Sequence, residues 1–189
     1  AKPRFDITTA ISPSYKITRQ DRQHKPGGGI VIIYKDAISS TTLTDPPTSN
    51  NEHLTFKLHI TANFTLSSSL IYRPPGPCIN FADTIEDYVA PFIFDSSAFI
   101  LLGDLNFHLE DHTNSNMNAL LDVLENLGLT HQMKGPNHSM GLLLDPIFII
   151  LNNIQVDKPT PITWADQALV KFSLPVPHQQ RLTLARPSC

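Results

Sequence analysis

At 189 residues, with 41% hydrophobic and 16% charged side chains, the chain has the size and composition of one globular domain with a sizeable buried core. A formal net charge of −3 excludes a broad electrostatic grip on nucleic acid, so any contact with DNA has to be made at a local site. No stretch of about 18 apolar residues occurs, which excludes a membrane-spanning helix, and Cys78 and Cys189 lack metal-ligand spacing, so both read as free thiols of a soluble intracellular protein.

In chain order, residues 1–26 are polar and predicted irregular, up to Gly27-Gly28-Gly29. Ile30 to Tyr34 is short, β-branched and bounded by turn residues, which predicts a buried strand. Residues 37–52 have the Ser, Thr, Pro and Asn content of a loop. From His53 to Ile60 apolar residues alternate, with Leu54, Phe56, Leu58 and Ile60 on one side, and Thr65 to Tyr72 can return as the second arm of a hairpin through a turn at 61–64. Asn80 is placed to cap a helix whose apolar face is Phe81, Ile85, Tyr88, Val89 and Phe92, and Pro91 is expected to stop it. Ala98 to Leu102 is the best buried strand, ended by Gly103. A second helix carries Met117, Leu120, Leu121, Leu124 and Leu127 and stops at Gly128. Ile147–Leu151 and Ala168–Leu174 are the last predicted strands, and the tail at 176–189 is Pro-rich and polar. Strands interleaved with two helices, with hairpins among them, predict a mixed α/β fold.

The strongest local signal for chemistry is Gly103-Asp104-Leu105-Asn106, just beyond the buried strand. A carboxylate and an amide two residues apart on extended chain point the same way. Such a pair suits metal-assisted phosphoester hydrolysis, the carboxylate orienting an attacking water and the amide donating to a phosphate oxygen. Taken alone, the same residues also fit a strand-ending Asx turn that only satisfies backbone groups. Tyr72-Arg73-Pro74-Pro75 ends the preceding strand with a hydroxyl and a guanidinium, both suited to phosphate. Asp145 and Asp166 each precede a predicted strand, where an Asp is commonly a turn or cap residue.

The order of these segments, Gly27-Gly28-Gly29-Ile30, Tyr72-Arg73-Pro74-Pro75, Gly103-Asp104-Leu105-Asn106, His138 through Asp145 and Ala165 through Val170, resembles the endonuclease domain of non-LTR retrotransposons. That family belongs to the endonuclease/exonuclease/phosphatase superfamily. The likeness spans roughly residues 12 to 175, with the domain itself placed at 27–175. It implies a four-layer α/β sandwich of two mixed β-sheets flanked by helices, here incomplete at the N-terminal side, and Mg²⁺-dependent cleavage of a DNA phosphodiester. By position, Asp104 would align the water and Asn106 would hold the phosphate. Tyr72 would stabilise the scissile group, Asp166 would assist the metal, and Arg73 and His138 would contact phosphate or DNA. Asp145 would orient the family's catalytic histidine, whose place is taken by Gln167. All six of Tyr72, Asp104, Asn106, Asp145, Asp166 and Gln167 are expected at one sheet edge.

The chain also departs from the family's pattern. Ala165-Asp166-Gln167 stands where the family reads Ser-Asp-His, and an amide neither carries charge nor gives up a proton. Gly141-Leu142-Leu143-Leu144 replaces a run with two polar side chains, and Pro146 removes a strand donor. The family's main metal-ligand Glu, which precedes the triple glycine, has no counterpart in residues 1–26, and Glu52 matches a different glutamate. The expectation is a degenerate fragment of a Mg-dependent DNA endonuclease with impaired or no activity. The alternative is a non-catalytic interaction module that keeps the nuclease fold.

Overall fold

The computed structural model describes residues 11–22, 29–43, 52–76, 80–107, 111, 113–132, 146–150, 155–161 and 168–176. Their centre is a six-stranded mixed sheet. Its strands are β3 (Ser39–Leu43), β4 (Glu52–Thr61), β5 (Phe64–Tyr72), β6 (Ala98–Leu102), β7 (Thr130–His131) and β8 (Ile147–Ile150), in the spatial order β3-β4-β5-β6-β8-β7. β5 and β6 are the parallel pair, and the other neighbours are antiparallel. A parallel pair needs a crossover, which is α1 (Phe81–Phe94); α2 (Ser115–Asn126) follows β6.

Side-chain alternation sorts this sheet into two faces. Ile71, Phe99, Leu101 and Phe148 point to the helices, where they meet Phe81, Ile85 and Val89 of α1 and Met117, Leu120 and Leu124 of α2 in the larger core. Leu66, Ala98, Ile100, Ile147 and Ile149 point the other way, against Val156 and Phe172 of β9 (Gln155–Val156) and β12 (Phe172–Ser173). Farther along that face Leu54 and Phe56 pack against Ile30 and Ile32 of β2 (Gly29–Lys35), which pairs antiparallel with β1 (Tyr15–Asp21). A last small pair joins β10 (Thr160–Pro161) to β11 (Ala168–Leu169). Among the described residues the result is an α/β sandwich, one mixed sheet with both helices on one face and the antiparallel pairs β1–β2 and β9–β12 on the other, and no closed barrel.

The elements that bury most follow the sequence pattern. β6 spans Ala98–Leu102 and α2 starts at Asn114, whose side-chain oxygen accepts from the N–H groups of Asn116 (3.1 Å) and Met117 (3.2 Å). Six details differ. The supposedly irregular start contains β1, a strand hard to read because its pattern is mostly exposed. The 37–52 loop contains β3, an edge strand of Ser and Thr that buries little. Asn80 sits at the start of α1 in a left-handed conformation (φ 58°) without a side-chain cap; its carbonyl instead accepts from Thr84. Pro91 lies inside α1 and does not stop it. Proline lacks the donor for the carbonyl four residues back, yet Phe92 and Ile93 pack against the core and carry the helix one turn farther. The last predicted strand is two pieces, β11 and β12, split at Val170-Lys171. Pro146 directly precedes β8, where no ladder donor is lost.

Candidate functional site

Because β5 and β6 are parallel, with Leu70 opposite Leu102, their C-terminal ends reach the same sheet edge. β8 runs the other way and begins there, Ile147 opposite Leu102. Tyr72-Arg73, Gly103 to Asn106 and Pro146 therefore arrive together. Gly103 makes the approach possible. Its φ of +135° disfavours any side chain, and a Cβ there would lie 1.9 Å from the Ile71 carbonyl oxygen. With only hydrogen at that position, the loop after β6 folds directly onto the end of β5.

Reciprocal hydrogen bonds then lock the two segments. The Arg73 N–H donates to the Asp104 carbonyl (2.9 Å), and the Asn106 side-chain amide donates to the Arg73 carbonyl (2.8 Å). Asp104 Oδ1 accepts from the Asn106 N–H (3.0 Å), the Asx turn that the sequence allowed. Asn106 takes a left-handed backbone (φ 48°), which Asn tolerates better than most residues. Both side chains are partly buried, and the Asn106 amide has a second N–H beyond the one given to Arg73. Asx turn and site residue are thus compatible, because the turn fixes the carboxylate in place at the end of β6.

Tyr72 and Arg73 adjoin in sequence and part in space. Tyr72 shares the parity of Leu66 and Leu70, on the face away from the helices. Arg73 turns to the helix side, 4% exposed, with its guanidinium 4.0 Å from the Phe107 ring and 5.8 Å from that of Phe81. It donates to the carbonyls of Leu105, Asn106 (2.6 Å) and Gly76 (3.1 Å). The sequence suggested a phosphate contact for Arg73. Its geometry is that of a clamp on the Leu105–Asn106 backbone, because burial and three carbonyl acceptors commit the fork to the loop.

A second arginine, which the sequence reading passed over, occupies the other face. Arg22 follows β1, and its guanidinium lies 5.0 Å from the Tyr72 ring centroid. Its Nε–H donates to Glu52, the cross-strand partner of Tyr72 in the β4–β5 hairpin. The hydrogen bond to Glu52 does most to hold this guanidinium above its ordinary range; desolvation opposes it, and the Glu52 charge and the Tyr72 hydroxyl add smaller upward effects. Hairpin counting could have paired Glu52 with Tyr72. The approach of Arg22 depends on β2 packing on β4, and no local pattern announces that.

Asp145, Asp166, Gln167 and His138 lie outside the described residues. Among the described residues no three His, Cys, Asp or Glu side chains gather where they could hold a metal ion. Glu52 is paired with Arg22 and Asp104 accepts within its own turn. The described carboxylates therefore do not by themselves fit the Mg²⁺ that the resemblance implies, since a divalent ion needs carboxylate oxygens not already held by a cation. Nor is any described helix long and apolar enough to cross a membrane.

No family model and no curated protein matches the sequence. Solved structures do. The inositol polyphosphate 5-phosphatase domain of SPsynaptojanin, in complex with inositol (1,4)-bisphosphate and calcium ion, superposes with a TM-score of 0.51 at 10% identity, over 87% of this chain and 63% of that one. The strands and helices of this chain follow a fold similar to that of this phosphatase domain. This chain thus spans less than two thirds of that phosphatase domain. A mutant Cimex nitrophorin in its ferrous NO complex superposes equally well, with a TM-score of 0.51 at 15% identity over 88% of this chain and 76% of that one. At such identities the likeness speaks for the fold, a scaffold shared by proteins of different function.

Proposed function

We propose that this chain is a DNA-directed phosphodiesterase domain of the retrotransposon endonuclease type whose cleavage activity is impaired. The observation that carries the reading is the Gly103–Asn106 loop, seated on the end of β5 so that Asp104 and Asn106 flank the backbone that presents Tyr72. In this arrangement the Asp104 carboxylate is suited to orienting a water, and the Asn106 amide to donating to a phosphate oxygen. The Tyr72 hydroxyl is suited to the scissile group. Impairment is inferred from Gln167, which stands where the family places an imidazole and can neither carry charge nor give up a proton. Mg²⁺, when bound, would supply Lewis-acid stabilisation of the phosphate, and Asp166 is the residue that the resemblance offers for it.

The test is nicking of supercoiled plasmid in Mg²⁺, with a chelator control and an Asp104→Ala variant. Faint or absent metal-dependent nicking is expected. Rapid nicking that disappears in Asp104→Ala would overturn the impairment while keeping the site. Rapid nicking indifferent to Asp104 would overturn both.

A further inference from the structure

The edge that carries Asp104 needs positive charge if it is to meet a phosphodiester, and the arginine assigned to that task by sequence is turned into the helix core. We propose that Arg22, stacked on Tyr72 and restrained by Glu52, is the phosphate-binding cation of this edge, an inference that rests on the reading of the site as phosphodiester-directed.

Three structural facts converge on it. First, the position is built from three separate elements. β1 delivers Arg22, β4 supplies Glu52 and β5 supplies Tyr72, with Glu52 and Tyr72 in direct cross-strand register. Second, the guanidinium is partly buried but not sealed. The side chains of Arg22 and Glu52 keep 25% and 20% of their surface open, whereas Arg73 as a whole is 4% exposed. Third, the donor count leaves room for an anion. A guanidinium has five N–H donors in one plane, and a single carboxylate takes at most two of them side by side. The Tyr72 hydroxyl also takes a hydrogen bond from this guanidinium, and the five donors still exceed what the two partners use. Tyr72 is followed at once by Arg73, whose N–H binds the Asp104 carbonyl, so the strand end that this cation covers also anchors the loop of the proposed reaction site.

Charge bookkeeping gives the arrangement a distinctive consequence. Arg22 and Glu52 cancel as a pair, so the pair offers an incoming phosphate no net positive charge. Glu52 therefore both orients Arg22 and competes with the phosphate for it. Glu52→Gln keeps a carbonyl acceptor for the Arg22 Nε–H and removes the competing charge, so anion binding should tighten. An ion pair with only a structural role predicts the opposite, because removing either partner would loosen the edge and gain nothing.

The experiment titrates the folded protein and its variants with dimethyl phosphate and with a short single-stranded oligodeoxythymidylate, following the Arg22 Nε–H resonance by NMR. A parallel titration with inorganic phosphate separates diester recognition from capture of a free dianion. Both diester probes are expected to shift the resonance in the wild-type protein and to bind about fivefold more tightly to Glu52→Gln, the effect of removing one unit charge at contact distance in water. In Arg22→Ala the resonance is gone, so there the Tyr72 ring signals are followed and should no longer respond. Arg22→Lys, which keeps the charge without the planar fork, should bind more weakly than wild type. The proposal is overturned if neither wild type nor Glu52→Gln responds, if Glu52→Gln weakens binding, if Arg22→Lys matches wild type, or if only inorganic phosphate binds. The titration involves no bond cleavage, so absent plasmid nicking leaves it standing, and nicking that survives Arg22→Ala would sink this inference while sparing the hydrolytic reading.

Discussion

The end of β5 presents two arginines to two different environments, and they illustrate what the faces of one sheet do. On the helix face Arg73 is enclosed by Phe81 and Phe107 and donates to three backbone carbonyls. On the opposite face Arg22 leans on Tyr72 with one carboxylate partner and a quarter of its side chain open. The same functional group is a fixed structural part in the first setting and an available cation in the second. The difference is enforced by alternation: consecutive residues at a strand end cannot share a face. The helix face holds the larger core and sets the loop; the other face, covered by two-stranded pieces, leaves polar groups at the surface.

The largest test of that contrast is removal of Arg73. Arg73→Met fills much of the space but withdraws every donor, leaving the carbonyls of Leu105, Asn106 and Gly76 without this partner. Breaking a buried, hydrogen-bonded network of this kind costs about 3–5 kcal/mol. Arg73→Lys should recover part of the loss, since an ammonium cannot reach three carbonyls in one plane. Urea denaturation reads both. A cost below about 1 kcal/mol for Arg73→Met would mean that the two arginines are energetically alike and the contrast is empty.

The next test acts on the backbone that Arg73 clamps. Gly103→Ala places a Cβ 1.9 Å from the Ile71 carbonyl oxygen at a φ that alanine avoids. A loss of about 2–4 kcal/mol is expected, with amide protection lost first at residues 104–106. If protection instead falls evenly across the sheet, the loop is not a separate unit poised on β5.

These positions also mark how far the sequence could be read. β6, α2 and the β4–β5 hairpin bury apolar residues at regular spacing, so their periodicity survives in the sequence. β1 and β3 pair through backbone and bury little, so their residues carry no such mark. Within the candidate site, the meeting of Tyr72, Asp104 and Asn106 at one edge follows from two parallel strands ending side by side. The inward turn of Arg73 was implicit in its adjacency to Tyr72. Arg22 was not legible, because it reaches Tyr72 only after β2 has docked on β4, a contact between distant segments of the chain.

A smaller effect is expected inside the helix face, where Thr55 and Ser69 are fully buried and share a hydrogen bond of 2.7 Å, and Thr55 also meets the Tyr88 hydroxyl of α1. Thr55→Val preserves shape and removes the bridging oxygen, which takes a partner from the buried Ser69 hydroxyl and a contact from Tyr88. About 1–3 kcal/mol should be lost. The double variant Thr55→Val with Ser69→Ala should cost less than the sum of the single changes, because an unmade hydrogen bond is more expensive than an absent one. Strict additivity would show that α1 is held by its apolar residues alone.

The smallest expected effect lies on the outer side of β2 and gives the comparison its sharpest form, because adjacent residues should behave oppositely. Ile32 is 8% exposed and packs toward Leu54 and Phe56, whereas Ile33 is 48% exposed and faces away from the sheet. Threonine keeps the β-branch, so strand propensity is nearly unchanged by Ile→Thr at either position. What changes is burial. Ile32→Thr replaces a packed ethyl group by a hydroxyl without a partner and should cost about 2–4 kcal/mol. Ile33→Thr swaps exposed apolar surface for polar surface and should stay within about 0.5 kcal/mol of wild type. Thermal melts at several protein concentrations distinguish the ways this can fail. If Ile33→Thr costs as much as Ile32→Thr independently of concentration, another part of the chain covers the outer side of β2. If the cost grows with concentration, a second copy covers it, since a partner that binds only the folded state stabilises in proportion to its abundance. Either result would mean that the two-stranded layer that delivers Arg22 is itself covered on its outer side.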